Sequence, residues 1–304
     1  MSDEALAVSV VVVTFRPGEA LRRFLETARK ATSEPYEVLV VDNGPADGAS
    51  DAVAAEFAEA RVLRPGGNVG YGRGANFGAR AAVADWLVVA NDDLAWQPGS
   101  LDTLLGAVTR WPDAGALGPA ILTPDGSLYP SARALPSLGR GIGHAVCGWW
   151  WPSNPWTRAY RQERGAPVER SVGWLSGSCL LLRRAAFEAV GGFDPSYFMY
   201  FEDLDLCERI GKAGWRNIYV PDAVIAHIGG LSTERHRAAM VREHHRSAYR
   251  YLSRRYAGPA WLPLRLALRV GLAGRSLLSR VVHGVGEGAR PTRTAAALDD
   301  RPGH

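Results

Sequence analysis

The sequence predicts an α/β fold in which a mostly parallel sheet carries helices on both of its faces. Two runs of β-branched residues, VSVVVVTF at 8–15 and YEVLVVDNG at 36–44, have the near-continuous apolar character of strands buried on both faces. Between them, EALRRFLETARKAT at 19–32 places apolar residues at helical spacing. WLVVAND at 86–92 repeats the strand pattern, and such alternation of strands and helices is typical of βαβ units.

Other segments extend this pattern along the chain. Before residue 112 we expect a helix around 48–59, a short strand around 61–64 and a helix over 74–84. The pattern then changes to a hairpin at 121–133, an irregular Trp- and Pro-rich stretch at 148–156, a strand-like segment at 172–184, a short helix at 203–215, two extended pieces at 217–230 and basic helices at 234–256 and 260–283. The tail from residue 287 is polar and is predicted to be disordered.

Composition excludes several classes of protein. The chain has 304 residues with 47% hydrophobic and 22% charged residues, which is ordinary for a globular protein. Cys147, Cys179 and Cys207 are scattered without a CxxC pair, so we expect a reduced, cytosolic protein with no disulfide framework or zinc site. No apolar run is long enough for a transmembrane helix, and the acidic N-terminus leads into a strand and not into a signal peptide. The net charge of +4 is concentrated between 235 and 293, where arginines are dense, which indicates a face that meets an anionic partner.

Polar residues follow the predicted strands at the edge where such sheets bind ligands. Asn91, Asp92 and Asp93 come at the end of the strand in WLVVAND, and Asp42 and Asn43 end an earlier one. Carboxylates there can ligate Mg²⁺ or Mn²⁺, and the metal can neutralise a diphosphate. A solvated turn or a helix cap explains the acidic pair equally well.

The glycine-rich segment 65–82 suggests a second binding element. Gly70, Gly72 and Ala75 satisfy the G-x-G-x-x-A pattern of dinucleotide-binding proteins, but two strand–helix units precede the segment, whereas that fingerprint follows the first strand directly. Close packing of the glycines is an equally good explanation. The candidates here for contacts with phosphate or sugar are Asn68, Arg73 and Asn76.

Two further segments carry residues that could take part in catalysis. An aromatic stretch passes into a predicted helix at Glu202, Asp203 and Asp205. Acidic side chains at a helix N-terminus are stabilised by the helix dipole, which is one explanation for them. The aromatic surroundings could instead raise the pKa of one carboxylate and make it a general base. His227 ends the apolar segment AVIAH, where it is either an ordinary edge residue or a metal ligand.

Taken in order, these segments resemble glycosyltransferase family 2, and within it the rhamnosyltransferase branch, over roughly residues 8–256. The resemblance implies a GT-A fold, which is Rossmann-like with a mixed central sheet, followed here by C-terminal basic amphipathic helices. It implies a catalytic domain at 1–232, with a nucleotide-binding half at about 1–110 and an acceptor half at 111–232. A helical, membrane-associating region at 233–286 and a disordered tail at 287–304 would follow.

The resemblance also assigns roles to residues. Asp203 would be the general base of an "ED" motif with Glu202 beside it, and Asp93 and His227 would hold Mg²⁺ or Mn²⁺. The acceptor would be bound by Trp174, Ser176 and Gly177. The sugar nucleotide would be bound by Thr14, Phe15, Asp42, Asn43, Asn68, Gly70, Arg73, Asn76, Asn91 and Asp92. Asn91 replaces the first aspartate of the family's DxD motif, so Asp93 would carry most of the charge that faces the metal.

Stretches outside these motifs, RWPDAGALGPAI at 110–121 and NPWTRAYRQER at 154–164 among them, resemble an actinobacterial branch of the family. That branch transfers L-rhamnose from dTDP-L-rhamnose, with inversion, to the 3-OH of N-acetylglucosaminyl-diphospho-decaprenol, and thereby builds the arabinogalactan–peptidoglycan linker. The resemblance implies a cytoplasmic enzyme bound peripherally to the anionic inner face of the plasma membrane. No motif for reading nucleic acid is present, and a homodimer stays open.

Three alternatives differ in what the same residues would do. The donor could be another nucleotide sugar, or the acceptor another polysaccharide or O-antigen intermediate. The chain could be a non-catalytic nucleotide-sugar-binding protein, which only Asn91 favours, since Asp93, Asp203 and His227 are intact. A dinucleotide-dependent oxidoreductase would require the glycine-rich segment to bind NAD.

Overall fold

The computed structural model describes residues 6–136, 167–228 and 237–271. The chain forms two compact units, 1–235 and 236–304, and each is described by itself. Cys147, the Trp-rich stretch 148–156, the segment 154–164 and the predicted disordered tail lie outside the described residues.

The first half of unit 1 is a parallel βα repeat, as its residues predict. Strands β1–β4 lie in the order β3-β2-β1-β4 and run parallel, because a crossover helix joins each of them to the next along the chain. Valines of β1 and β2 and leucines of α1 and α4 form the core beneath the sheet. The elements are β1 (Val8–Thr14), α1 (Glu19–Ala31), β2 (Tyr36–Asp42), α2 (Ala49–Ala54), β3 (Ala60–Leu63), α3 (Tyr71–Ala81) and β4 (Trp86–Asn91).

The second half of unit 1 makes the sheet mixed. Its elements are β5 (Leu94–Trp96), α4 (Ser100–Arg110), β6 (Ala114–Leu122), β7 (Leu128–Tyr129), β8 (Ala132–Arg133), β9 (Arg170–Val172), β10 (Trp174–Leu175), β11 (Cys179–Arg183), α5 (Arg184–Ala189), α6 (Glu202–Lys212) and β12 (Arg216–His227). The order continues β4-β11-β6-β12-β5, with β11 antiparallel to both neighbours. β8 and β10 pair separately, beside this sheet.

Three sequence-based expectations need correction. The helix expected at 48–59 ends already at Ala54. The helix expected from residue 74 begins at Tyr71, because packing of its glycines on the sheet overrides their low helix propensity. The two extended pieces at 217–230 are one strand, β12, whose register shifts between Val220 and Val224, around a proline that cannot donate a ladder hydrogen bond.

The described part of unit 2, residues 237–271, contains α7 (Arg237–Arg255), a 3₁₀ turn at Pro259–Trp261 and a helix over 262–271. Its second helix presents apolar side chains at four-residue spacing: Leu262, Leu266 and Val270 are 49%, 54% and 72% exposed. Arg265 and Arg269 lie between them in sequence. The part of the chain that the structure describes has no helix of the length and hydropathy needed to cross a bilayer.

Glycine at position 78 sets how closely α3 approaches the sheet. A Cβ there would lie 2.4 Å from Cγ1 of Val11 and 2.8 Å from Cγ2 of Val41. We therefore expect Gly78→Ala to lower the free energy of unfolding by about 1–3 kcal/mol through overpacking, measured by urea denaturation. Gly106→Ala is the matched control, because a Cβ in the middle of α4 meets nothing within 4 Å. Equal stability of the two variants would contradict the packing of α3.

Candidate active site

The carboxyl ends of three neighbouring parallel strands form the floor of the candidate site. In the sheet register Thr14 of β1 pairs with Asp42 of β2, and Val13 pairs with Asn91 of β4. The backbone N–H of Asn91 donates to the carbonyl oxygen of Ser178 (3.0 Å), which ties this end of β4 to the segment before β11. The sequence placed these polar residues at the same sheet edge, and the structure brings them together.

Asp42 is buried and already holds its own loop in place. Its Oδ1 accepts a hydrogen bond from the backbone N–H of Gly44 (2.8 Å), and its Oδ2 accepts one from Ser50 Oγ (2.7 Å). Nδ2 of the neighbouring Asn43 donates to the carbonyl oxygen of Gly70 (3.1 Å). Its Oδ1 is buried without a hydrogen-bond partner among the described residues. The second strand end is thereby joined to the glycine-rich loop.

The glycine-rich loop requires glycine for a local reason. Gly70 has φ +89°, and a Cβ on it would lie 2.3 Å from the carbonyl oxygen of Phe198. That oxygen instead accepts the backbone N–H of Tyr71 (3.0 Å), while Asn68 Oδ1 accepts the N–H of Gly70 (3.1 Å). The loop is therefore fastened to the segment that leads into α6.

Arg73 and Asn76 hold the same segment. Arg73 Nε donates to the carbonyl oxygen of Pro195 (2.5 Å). The amide of Asn76 donates to the carbonyl oxygen of Phe193 (2.7 Å) and accepts its N–H (2.9 Å). Both side chains thus bind backbone between residues 193 and 195, and their contacts with a sugar nucleotide stay a prediction.

Thr14, Phe15 and Asp92 lie together at the end of β1. Thr14 Oγ1 donates a hydrogen bond to Oδ2 of Asp92, and Phe15 is 42% exposed next to it in sequence. Burial raises the pKa of Asp92 to about 6, against the opposing effect of the Thr14 hydroxyl. A carboxyl group that is half protonated near pH 6 can accept or donate a hydrogen bond there.

Asp93 and His227 meet where the turn after β4 crosses the end of β12. The backbone N–H of Ile228 donates to the carbonyl oxygen of Asp93 (2.9 Å), and Asp93 Oδ1 lies 3.1 Å from His227 Nε2. Both atoms are shielded from solvent, and neither forms an aligned hydrogen bond with a described residue. The Asp93 carboxylate raises the pKa of His227, and burial opposes this.

A carboxylate oxygen and an imidazole nitrogen aimed at one place fit a divalent cation, which would supply the bonding that the pair lacks. No cluster of three or more His, Cys, Asp or Glu with metal-site geometry occurs in the described ranges. The predicted metal ligands Asp93 and His227 would therefore be a partial ligand set, to be completed by a substrate oxygen and water. Because the cation would compete with a proton on His227, its affinity should rise with pH.

Asp203 is partly buried in the first turn of α6, directly after two residues with left-handed backbone. Tyr200 and Phe201, which precede the helix, have φ of +68° and +67°, and such left-handed non-glycine residues cluster at functional sites. Asp203 Oδ2 accepts the N–H of Gly177 and Oδ1 accepts that of Leu204, both at 2.8 Å. Burial nevertheless raises the pKa of Asp203. Its neighbour Glu202, the first residue of α6, is buried.

Tyr71 links these groups, although the sequence analysis did not single it out. Its hydroxyl donates to the carbonyl oxygen of Gly177 (2.6 Å), the residue whose N–H holds Asp203. Burial raises the pKa of Tyr71 well above its usual range, and four neighbouring acidic groups raise it further: Glu202, Cys179, Asp203 and Asp93. The carboxylates predicted for the base and for the metal therefore converge around one phenol.

The predicted acceptor residues lie on the short ladder of β8 and β10. Trp174 is buried opposite Arg133, whose guanidinium carbon is 5.2 Å from the Trp174 ring centroid. The N–H of Ser176 donates to the carbonyl oxygen of Ser131 (2.8 Å), and a Cβ on Gly177 would lie 2.9 Å from the Cβ of Asp203. The three residues therefore lie next to Asp203, the predicted base, and Arg133 is a neighbour that the sequence analysis missed.

Comparison with known proteins identifies the family. The family model described as Glycosyl transferase family 2 matches residues 9–191. The chain belongs to glycosyltransferase family 2. As a member of this family it is a glycosyltransferase, which confirms the enzyme class that the ordered motifs predicted.

Relatives within the family are similar along nearly the whole chain. An N-acetylglucosaminyl-diphospho-decaprenol L-rhamnosyltransferase of Mycobacterium tuberculosis is 53% identical over 280 residues, which cover 88% of this chain and 91% of the relative. The rhamnosyltransferase WbbL of Escherichia coli strain K12 is 27% identical over 256 residues, 82% of this chain and 93% of the relative.

Solved structures confirm the GT-A fold. GalNAc-T7, crystallised with UDP, GalNAc and Mn²⁺, has a TM-score of 0.59 at 16% identity, covering 90% of this chain and 55% of that one. The mannosyltransferase PcManGT from Pyrobaculum calidifontis, in complex with GDP-Man and Mn²⁺, has a TM-score of 0.55 at 18% identity, covering 94% and 80%. At these identities the likeness concerns the fold alone.

Proposed function

We propose that this glycosyltransferase transfers L-rhamnose from dTDP-L-rhamnose to the 3-OH of the sugar in N-acetylglucosaminyl-diphospho-decaprenol, with formation of an α linkage. The observation that carries the choice of substrates is the 53% identity to the Mycobacterium tuberculosis enzyme of that name, over nearly the full length of both proteins. The proposed product is the start of the linker between arabinogalactan and peptidoglycan.

The donor nucleotide belongs at the carboxyl ends of β1, β2 and β4, where open α/β sheets bind ligands. Asp42 would accept a hydrogen bond from the thymine imide, since each of its oxygens has a further lone pair beyond the bonds to Gly44 and Ser50. Phe15 offers an exposed aromatic face beside it. Asn43, Asn68, Gly70 and Asn91 surround the same strand ends.

Asp93 and His227 would hold Mg²⁺ or Mn²⁺, which, when bound, neutralises the charge of the leaving diphosphate. Both solved relatives in the fold comparison contain Mn²⁺, which supports a divalent metal here. Asn91 adds an amide oxygen without charge at the same turn. Asp93 is therefore the group whose negative charge fixes the position of the cation.

Asp203 is the proposed general base. As the acceptor oxygen forms its bond to the anomeric carbon, the bond from that carbon to the diphosphate breaks and dTDP leaves from the opposite face, which inverts the configuration. The hydroxyl proton passes to Asp203. The bonds from Gly177 and Leu204 fix the carboxylate, while its burial raises its proton affinity toward that required for the transfer.

Unit 2 supports a peripheral position on the membrane that contains a lipid-linked acceptor. The apolar row Leu262, Leu266 and Val270 is exposed, and arginines are interspersed with it. A basic helix with an apolar face lies in the interface of an anionic bilayer. We therefore propose a cytoplasmic location with this helix on the inner face of the plasma membrane.

The pH dependence of kcat/KM should reveal the elevated pKa of Asp203. A protonated base cannot accept the hydroxyl proton, so the rate should fall on the acidic side at a pH above 4, the usual pKa of an aspartate. Asp92, with a pKa of about 6, is one competing source of such a limb. Protonation of His227 is another, which saturating Mn²⁺ would remove. The limb should persist in Asp92→Asn, and its loss there would assign it to Asp92.

The donor is tested by ranking sugar nucleotides against one lipid-linked N-acetylglucosamine acceptor. We expect dTDP-L-rhamnose to give a higher kcat/KM than other dTDP-sugars, UDP-sugars and GDP-sugars. A preferred UDP- or GDP-sugar would favour the alternative of a family 2 enzyme with another donor. Binding of dTDP-L-rhamnose without transfer of the sugar to any acceptor would favour the non-catalytic alternative.

A further inference from the structure

The ladder of β8 and β10 places a cation next to the proposed base. Arg133 pairs with Trp174 in this ladder, and Ser176, two residues beyond Trp174, is bonded back to Ser131. The following residue, Gly177, donates to Asp203 at 2.8 Å. A short run of backbone hydrogen bonds therefore fixes Arg133 relative to the catalytic carboxylate. In keeping with this proximity, Arg133 lowers the pKa of Asp203 against the larger effect of burial.

The guanidinium of Arg133 is held in place by described residues, none of which neutralises its charge. Its Nε donates to the carbonyl oxygen of Pro130 (2.7 Å), and its carbon lies 5.2 Å from the ring centroid of Trp174 and 5.5 Å from that of Tyr129. No carboxylate of the described chain is within ion-pair distance of it. Four of the five N–H donors of this guanidinium thus have no acceptor among the described residues, and their planar arrangement suits two phosphate oxygens.

The surface beside Arg133 is apolar. Tyr129 and Leu128, which form β7, are 38% and 45% exposed. A guanidinium flanked by an exposed aromatic ring and a leucine complements a ligand that carries phosphate next to hydrocarbon. The diphosphate of the donor is assigned to the proposed metal pair, Asp93 and His227, so it does not account for Arg133.

We propose that Arg133 binds the diphosphate of the lipid-linked acceptor and so orients the sugar hydroxyl toward Asp203. This inference rests on the proposed function, because it requires an acceptor in which a diphosphate follows the sugar. Trp174 has a positioning role in it, since its ring supports the guanidinium. The bond that forms and the bond that breaks are those of the transfer itself.

Arg133→Gln tests the inference through separate kinetic constants for the two substrates. We expect the KM for N-acetylglucosaminyl-diphospho-polyprenol to rise about 10–100-fold, as for loss of hydrogen bonds to a charged group, with the KM for dTDP-L-rhamnose unchanged. Arg133→Lys keeps the positive charge but loses the planar set of N–H donors, so its KM for this acceptor should lie between those of the wild type and Arg133→Gln. A short prenyl diphosphate without a sugar should inhibit the wild type competitively and Arg133→Gln much less, whereas the corresponding prenol should not distinguish them.

Arg183→Gln is the matched control. Arg183 also stacks on two aromatic rings, Trp86 and Trp215, and donates Nε to a backbone carbonyl, but it lies at the opposite end of β11 from the site. We expect both of its KM values to match the wild type. An unchanged acceptor KM in Arg133→Gln, or a raised KM for dTDP-L-rhamnose instead, would overturn the inference and leave the proposed function intact. Failure of the wild type to transfer rhamnose to N-acetylglucosaminyl-diphospho-polyprenol would overturn both this inference and the proposed function.

Discussion

Asp203→Asn lowers kcat for rhamnosyl transfer by about 10²–10⁴-fold, the range that a positioned general base contributes. The amide can keep a hydrogen bond to the N–H of Gly177 but cannot take the proton of the acceptor hydroxyl. The dissociation constant for dTDP-L-rhamnose should stay within about threefold of the wild-type value, because Asp203 faces the acceptor side. The two quantities are measured by steady-state transfer and by calorimetric titration.

Asp205→Asn is the control for this substitution. Asp205 lies in the same turn of α6 and is partly buried, but its carboxylate pairs with Arg209 at 2.7 Å. Its loss should affect stability more than transfer. A kcat for Asp203→Asn within a factor of ten of the wild type, or an equal loss in both variants, would contradict the assignment of the base.

Asp93→Asn lowers kcat/KM at a fixed metal concentration by at least about 100-fold, more than substitutions of groups that only support a metal ligand. The variant keeps an oxygen donor and loses the charge, so activity should recover in part as the Mn²⁺ concentration is raised. Asn91 provides no replacement charge in this turn. A titration of initial rate against Mn²⁺ measures the shift in apparent metal affinity.

The partner His227 makes the test of the metal site sharper. Because Asp93 Oδ1 and His227 Nε2 are 3.1 Å apart and would bind one ion, the effects of Asp93→Asn and His227→Gln on apparent metal affinity should be less than additive. A metal titration that neither substitution shifts would show that the pair does not bind the ion.

Much of the site could be predicted because it depends on strand ends. Asp42 and Asn91 follow apolar runs in the sequence, and parallel pairing of β2 and β4 with β1 brings them to one edge without further information, whereas Thr14 was named from the family resemblance. The contacts of Asp93 with His227 and of Asp203 with Gly177 could not be predicted from strand ends. Those pairs come together only through the order of the strands in the second half of the sheet. The roles of their members were predicted from the family resemblance alone.

The residues that sequence reasoning missed share one cause. Tyr71 lies in the glycine-rich segment and Arg133 in the predicted hairpin, yet each acts through a residue far away in the chain. Tyr71 and Gly177 are 106 positions apart, so local pattern carries no sign of their hydrogen bond. The reverse holds for Arg73 and Asn76, which local chemistry marked as phosphate or sugar ligands and which bind backbone of the 193–195 segment.

The most direct test of the central claim is a transfer assay with the full chain, dTDP-L-rhamnose and N-acetylglucosaminyl-diphospho-polyprenol, in Mn²⁺ or in EDTA, with the mass of the lipid as the readout. The account predicts the addition of one deoxyhexose to the lipid in Mn²⁺ and none in EDTA. Unchanged lipid in Mn²⁺, from protein that still binds dTDP-L-rhamnose, would contradict the proposed acceptor, and undiminished transfer in EDTA would contradict the proposed metal site.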